Sequence, residues 1–156
     1  MQTCRNVALL APVPLEHLLA GQVVANQMGR VAFGSRVFEL FRELETLRHH
    51  LPVDVYIYPS HAGGPRVFDV AWHGVYVGSV ESQNGAHPDG MKYRPPSTAK
   101  YPSDNLGVWA VFWHVADLHE LAPPDRMTVG QFTGFGKKKP YGRSFPPEGP
   151  LLVEHP

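Results

Sequence analysis

The stretch from Val108 to Val115 reads Val-Trp-Ala-Val-Phe-Trp-His-Val. In a strand, successive side chains point to opposite sides, so Trp109, Val111, Trp113 and Val115 share one face and Ala110, Phe112 and His114 the other. Both faces are largely apolar, which places the strand inside a sheet covered on both sides. The cover has to come from short pieces, because 16 prolines and 15 glycines divide the chain into many small elements joined by turns. A chain that is 43% hydrophobic and 18% charged can still pack a core.

The remaining elements follow from local pattern. Asn6 to Val13 reads as a strand. Pro14 suits the first turn of a short helix, Leu15 to Ala20, closed by Gly21, and Val23 to Phe33 reads as irregular. Ser35 can cap a second helix, in which Val37, Leu40, Phe41, Leu44 and Leu47 recur at three- and four-residue steps. That helix should end near His49 or His50, because Pro52 disfavours helical geometry before it. Val53 to Tyr58 is a β-branched and aromatic strand followed by a Pro-Ser-His-Ala-Gly-Gly-Pro turn. Arg66 to Val80 is a long β stretch, bent or split at Gly74. Gln83 to Asn105 is a long polar loop of the kind that is functional or disordered. Thr128 to Phe132 is a short strand or turn, residues 133–150 form a basic Gly- and Pro-rich segment, and Leu151 to Glu154 is a last short strand. No internal repeat and no linker is visible, so 1–156 reads as one α+β domain: a mainly β barrel with two helices in its N-terminal half.

Formal charge is +0 with neutral histidine, so a polyanion would have to be met by a local patch. Two basic segments offer one. Lys92 and Arg94 lie in a hydroxyl-bearing loop with Ser97, Thr98 and Lys100. Lys137, Lys138, Lys139 and Arg143 lie in a stretch from Arg126 to Arg143 that holds no acid. Cys4 is the single cysteine, so an intrachain disulfide and a cysteine-based zinc site are excluded. A reducing, cytoplasmic setting and no membrane association are expected. The 9 histidines show no spacing that marks a metal site, and no phosphate loop, dinucleotide fingerprint or nucleophile elbow is present. No metal and no cofactor are expected.

A pocket for an unstacked base needs flat apolar walls and a few hydrogen-bonding groups. Tyr58 and Trp109, at strand ends, are the candidate walls, and Ser60 a candidate donor in the turn after Tyr58. An enzyme would need an acid–base pair, and Asp54, Asp69, Asp89, Asp104 and Asp117 with neighbouring histidines are the raw material. No spacing singles out a pair.

Strand Asp54-Val55-Tyr56-Ile57-Tyr58 ending in Pro59-Ser60, a second β stretch over Val67 to Val80, and a third opening with Trp109 and leading to Asp117-Leu118 and Leu121 fall together. From roughly Val7 to Phe132 this order resembles the EVE and ASCH branches of the PUA-like superfamily. The resemblance implies a small PUA-like barrel with a pocket for a base, modified or not, at Tyr58, Ser60 and Trp109. The ASCH branch often carries a Gly-x-Lys-x-x-Glu-x-Arg pattern linked to RNA cleavage. Here Gly21-Gln22-Val23-Val24-Ala25-Asn26-Gln27-Met28 puts Val23, Asn26 and Met28 at its charged positions, which weighs against that nuclease chemistry, while Asn26 and Gln27 at this matched stretch could still bond a base edge. The expectation is a module binding DNA or RNA. A nucleic-acid-processing enzyme of the same fold and a protein-interaction module remain as alternatives.

Overall fold

The computed structural model describes residues 2–60, 69–136 and 149–156. Its main body is an α+β fold built on a curled, mixed, six-stranded sheet that forms a half-barrel. The elements are β1 (Ala8–Pro14), α1 (Leu15–Met28), β2 (Val31–Ser35), α2 (Phe38–Leu47), β3 (Val53–Ser60), β4 (Asp69–Val70), β5 (Trp72–Glu81), β6 (Val111–Glu120), β7 (Met127–Thr128) and β8 (Leu151–Val153). The sheet order is β2-β6-β5-β3-β1-β8, and β4 and β7 pair as a separate ribbon. Among the described strands only β1 and β3 run parallel, with Leu9 opposite Val55 and Pro14 opposite Ser60; α1, β2 and α2 form the crossover between them. No helix of the described residues is long and apolar enough to cross a membrane.

The two-faced pattern holds from Val111 to Val115, since β6 lies between β2 and β5, but the strand begins at Val111 rather than Val108, and Trp109 does not share the face of Val111, Trp113 and Val115: it lies on Gly34, which pairs with Phe112 on the opposite side. On the inner face Val111, Trp113 and Val115 join Leu9, Val55, Trp72 and Tyr76 beneath α1 and α2. Phe41 of α2 stacks on Tyr76 at 6.0 Å and on Trp113 at 5.9 Å. Such pairs add about 0.5–1.5 kcal/mol each beyond the area they bury. On the outer face Ala8, Leu10 and Tyr58 pack with Val70, Val129, Phe132 and Val153.

Four other local readings change. The first helix does not close at Gly21; it runs to Met28 and ends at Gly29, whose φ of 85° is the left-handed conformation glycine adopts freely. Gly21 is instead a contact point, because a Cβ there would stand 3.3 Å from Phe33 and Val31 side-chain atoms. The stretch read as irregular is the end of α1 and then β2. Helix α2 starts at Phe38, with Ser35 Oγ accepting from the Val37 N–H at 3.1 Å, and His49 and His50 follow it with φ of 47° and 64°. The long β stretch is broken at Ala71 into β4 and β5, with a register shift between His73 and Val75 where Gly74 lies.

Asp54 of β3 ties distant parts of the chain. Its carboxylate accepts from Thr3 Oγ1 at 2.6 Å, from His155 Nε2 at 2.7 Å and from His73 Nε2 at 2.8 Å. Burial pushes its pKa up, but the three hydrogen bonds outweigh that and hold it below the ordinary 3.8. A carboxyl whose folded pKa is depressed stabilises the fold above its unfolded pKa and loses that contribution as pH falls through the folded value. Asp54→Asn should therefore lower stability at pH 7 by about 1–3 kcal/mol. The gap between variant and wild type should narrow as the pH drops below about 4, which thermal melts across a pH series will measure.

Candidate functional site

The segment from Gln83 to Trp109 wraps the edge of the sheet at β2. Gln83 and Ala86 form a bridge, and the Gly107 N–H donates to the Asn84 carbonyl at 3.1 Å, so its ends are tied together. The Ala32 N–H of β2 donates to the Tyr93 carbonyl at 2.8 Å, which covers that strand edge. His87 packs on Phe112 at 5.2 Å and Tyr93 on His114 at 5.7 Å, across the outer face of β6. Two short 3-10 turns, Pro96–Lys100 and Pro102–Asp104, then bring the chain round to α1.

Arg94 holds this wrap in place. It is 2% exposed. Its Nη1 donates to the Ala32 carbonyl at 2.9 Å, its Nε to Asn105 Oδ1 at 2.9 Å and its Nη2 to the Asp104 carbonyl at 3.0 Å. The Asp104 carboxylate lies 3.5 Å away, and the guanidinium stands 5.1 Å from the centre of the Phe112 ring. Burial pushes its pKa down to about 10 against the pull of Asp104, so it stays charged at neutral pH. The sequence reading offered Arg94 as a phosphate ligand; its donors are directed inward instead, to the groups that fix the segment.

Beneath the segment, His87 Nε2 and His114 Nε2 meet at 2.9 Å, and His87 Nδ1 accepts from the Asp89 N–H at 2.9 Å. That second bond puts the proton of neutral His87 on Nε2, from which it donates to His114. Burial lowers both pKa values, with nearby cations adding to the effect, His114 to about 4. The pair is uncharged at pH 7 and serves as a packed, hydrogen-bonded floor.

Where the segment meets α1, His17 Nδ1 lies 2.6 Å from Ser97 Oγ and His17 Nε2 lies 3.7 Å from Asp104 Oδ2. Burial depresses the His17 pKa more than Asp104 and Glu16 raise it. A neutral imidazole against a hydroxyl, with a carboxylate beyond, is an arrangement that can withdraw a proton from serine. Tyr101 donates to Glu16, and Lys100 pairs with Glu16 at 3.4 Å, closing the same junction.

The outward surface of the wrap combines cations with aromatic rings. Arg30 stands 4.8 Å and Lys92 5.2 Å from the centre of the Tyr93 ring. Arg36 stands 6.0 Å from the Trp109 ring. Strand alternation through β2 puts Arg30, Ala32, Gly34 and Arg36 on one side. Trp109 lies on Gly34, where a Cβ would come within 2.6 Å of the indole, and its Nε1 donates to the Asp104 carbonyl at 2.8 Å. Glycine at 34 is what lets the ring lie flat against the strand.

The residues singled out from sequence are dispersed. Trp109 and Lys92 share this surface. Asn26 and Gln27 are exposed on the last turn of α1, a few residues before Arg30. Tyr58 is 2% exposed in the outer-face core, where burial raises its pKa well above the ordinary range. Ser60 is half-buried at the end of β3. The ladder pairs Ile57 with Trp72 and Val111 with Glu81, so Trp109 and the Tyr58–Ser60 pair lie at opposite ends of β5. Lys137, Lys138, Lys139 and Arg143 lie outside the described residues. A depression of about 550 Å³ opens elsewhere, over α2 beside Glu39, Leu40, Arg42 and Glu43. It is broad and carries none of the histidine chemistry, so the side chains rather than the void locate the site.

Residues that pattern reasoning missed are His17, whose partner Ser97 was read only as part of a basic, hydroxyl-bearing loop, and His87, His114, Tyr93 and Arg30. The first two are 80 positions apart and His87 and His114 are 27 apart, so no spacing announces them. Only the Arg30 and Arg36 alternation was readable. A scan of family models, a search of curated proteins and a search of solved structures each return no match.

Replacing Arg94 with methionine keeps the bulk but strands the Asp104 carboxylate and the Ala32 carbonyl. The expected cost is about 3–5 kcal/mol. Backbone hydrogen exchange should rise across 83–109 while the exchange of β3 and β5 changes least. Exchange that rises evenly over the whole sheet would show that Arg94 does not act locally.

Proposed function

We propose that the chain is a nucleic-acid-binding module of the PUA-like kind, in which a strand of DNA or RNA crosses the wrap and a base, modified or not, stacks at Trp109 or Tyr93. The carrying observation is the surface on which Arg30 and Lys92 lie against Tyr93 and Arg36 lies against Trp109. Rings of this kind accept the face of any base, each contributing about 1–3 kcal/mol, and the flanking cations meet phosphates. Tyr101, 43% exposed, and Lys100 extend the same surface toward α1. With a net charge of +0, local cations supply the attraction. The curled sheet with two helices is consistent with the PUA-like resemblance and supports the proposal at that coarse level.

The module should bind short single strands in fluorescence anisotropy with an affinity that falls as salt rises, because phosphate contacts release counterions. Trp109→Ala should weaken binding roughly 10- to 100-fold. Lys92→Glu, at an exposed position, should weaken it without altering the melting temperature. Binding that is indifferent to salt and to both changes would contradict the proposal.

A second reading, hydrolysis of the bound nucleic acid, is favoured by one observation: the 2.6 Å contact between Ser97 Oγ and His17 Nδ1. In that reading Ser97 Oγ attacks a backbone phosphorus as His17 takes its proton, the P–O bond to the departing nucleotide breaks, His17 returns the proton to that oxygen, and water then cleaves the phosphoserine ester to restore Ser97. Ser97→Ala should then abolish turnover of a labelled oligonucleotide and leave its binding unchanged. Absence of any turnover by the wild-type protein would leave the binding module standing alone.

A further inference from the structure

On the outer face, away from the wrap, β5 and β6 place His73 directly opposite His119. The two ring centres are 5.3 Å apart. Each imidazole has one nitrogen engaged with an acceptor. His73 Nε2 donates to Asp54 Oδ1 at 2.8 Å, and His119 Nδ1 donates to the Asp117 carbonyl at 2.8 Å. A carboxylate and a carbonyl only accept, so the protons of the neutral rings are fixed on those atoms. The lone pairs are left on His73 Nδ1 and His119 Nε2.

We propose that His73 Nδ1 and His119 Nε2 together bind one divalent transition-metal ion of the imidazole-preferring class, such as Cu²⁺, Ni²⁺ or Zn²⁺. Protein imidazoles that ligate a metal nearly always donate their other N–H to a carboxylate or a backbone carbonyl, which is the pattern here on both rings. The spacing agrees. A metal lies about 2.0–2.1 Å from a ligating nitrogen, hence roughly 3.2 Å from the ring centre, and two rings meeting one ion at a tetrahedral angle have centres roughly 5 Å apart. His119 is exposed and His73 half-buried, so an ion can reach the pair from solvent.

Asp54 stays behind the ligand, because its two oxygens are already occupied by Thr3, His155 and His73. No third histidine, cysteine or carboxylate of the described residues completes a cluster. The remaining coordination positions therefore go to water or to an oxygen or nitrogen of an incoming molecule, which is the open kind of site rather than the closed structural kind. The other histidine pair does not qualify: His87 Nδ1 accepts an N–H, so its Nε2 carries a proton and has no lone pair to give.

The site stands independently of nucleic-acid binding, and the test uses the metal alone. The full chain, stripped with a chelator, is titrated with Cu²⁺ and followed by visible absorption and electron paramagnetic resonance. We expect one equivalent held with nitrogen hyperfine structure. His119→Gln and His73→Gln should each weaken binding at least about 10-fold, and Asp54→Asn by roughly 10- to 100-fold through loss of the carboxylate behind the ligand. His119→Gln is the decisive variant, since an exposed strand position tolerates the change, and a circular dichroism spectrum confirms its fold. Replacing the exposed His49 and His50 together should leave the stoichiometry and affinity unchanged. Undiminished binding in His119→Gln, or no uptake at one equivalent by the wild-type chain, would overturn the proposal.

Discussion

The guanidinium of Arg94 is the contact on which the surface architecture depends. It is a charge buried to 2% exposure, and such a charge is tolerated only when its donors are met and a counter-charge is near. Three acceptors from two parts of the chain meet it, and Asp104 supplies the counter-charge. One end of this network is the free edge of β2 and the other is the turn that carries Asp104 past His17. Without it the 83–109 segment would keep its bond through the Tyr93 carbonyl, the His87–His114 pair, Trp109 on Gly34 and the Ser97, Lys100 and Tyr101 contacts to α1, but would lose the link that joins its middle to the β2 edge and to Asp104. The exposed Lys92 and half-buried Tyr93 beside it are positioned through this buried ion, and Lys100 and Tyr101 further on are tied in addition to Glu16 of α1.

The sheet sorts the chemistry by face. Its inner face is filled with aliphatic and aromatic side chains under α1 and α2, and it carries the stability. Its outer face is covered twice by different means. At the β3 and β1 side a small apolar core lies under the β4–β7 ribbon. At the β2 side the wrap covers it with His87, Tyr93 and Arg94, which pack on Phe112 and His114 of β6. Between these covers the outer face carries Tyr56, His73 and His119 in a cross-strand row. Polar groups thus concentrate where the apolar cover stops: His73 is tied to the Asp54 carboxylate, His119 to the Asp117 carbonyl, and His114 to His87.

Much of the fold could be read from the sequence because it follows from local pattern. The two-faced apolarity of β6, the helical spacing of Phe41 and Leu44, and the β-branched run from Val53 each depend only on near neighbours. Gly21 misled because a glycine that ends a helix and a glycine that lets a helix approach a strand look the same in sequence. The 83–105 stretch, rich in proline, glycine and polar residues, has the composition of an open loop. It packs because one arginine finds its acceptors on another strand, which no local pattern reveals. Tyr58 was placed at a strand end, where a side chain can face solvent, but Val70, Val129 and Phe132 cover it from later in the chain. The pairings of His17 with Ser97 and of Asp54 with His73 and His155 arise from topology, across 80, 19 and 101 positions respectively. Trp109 and Lys92 emerged because an aromatic at a strand entrance and a lysine in a polar loop are local signals.

The central claim is that the face formed by residues 30–36 and 91–109 receives a nucleic-acid strand. Its most direct test is a backbone amide chemical-shift map of the full chain, with and without a short single-stranded oligonucleotide at low salt. The account predicts shifts that cluster on Arg30 to Arg36 and on Met91 to Trp109, including the Trp109 indole N–H, with β8 and α2 unmoved. Shifts confined to other surfaces, or a spectrum unchanged at saturating oligonucleotide, would contradict it.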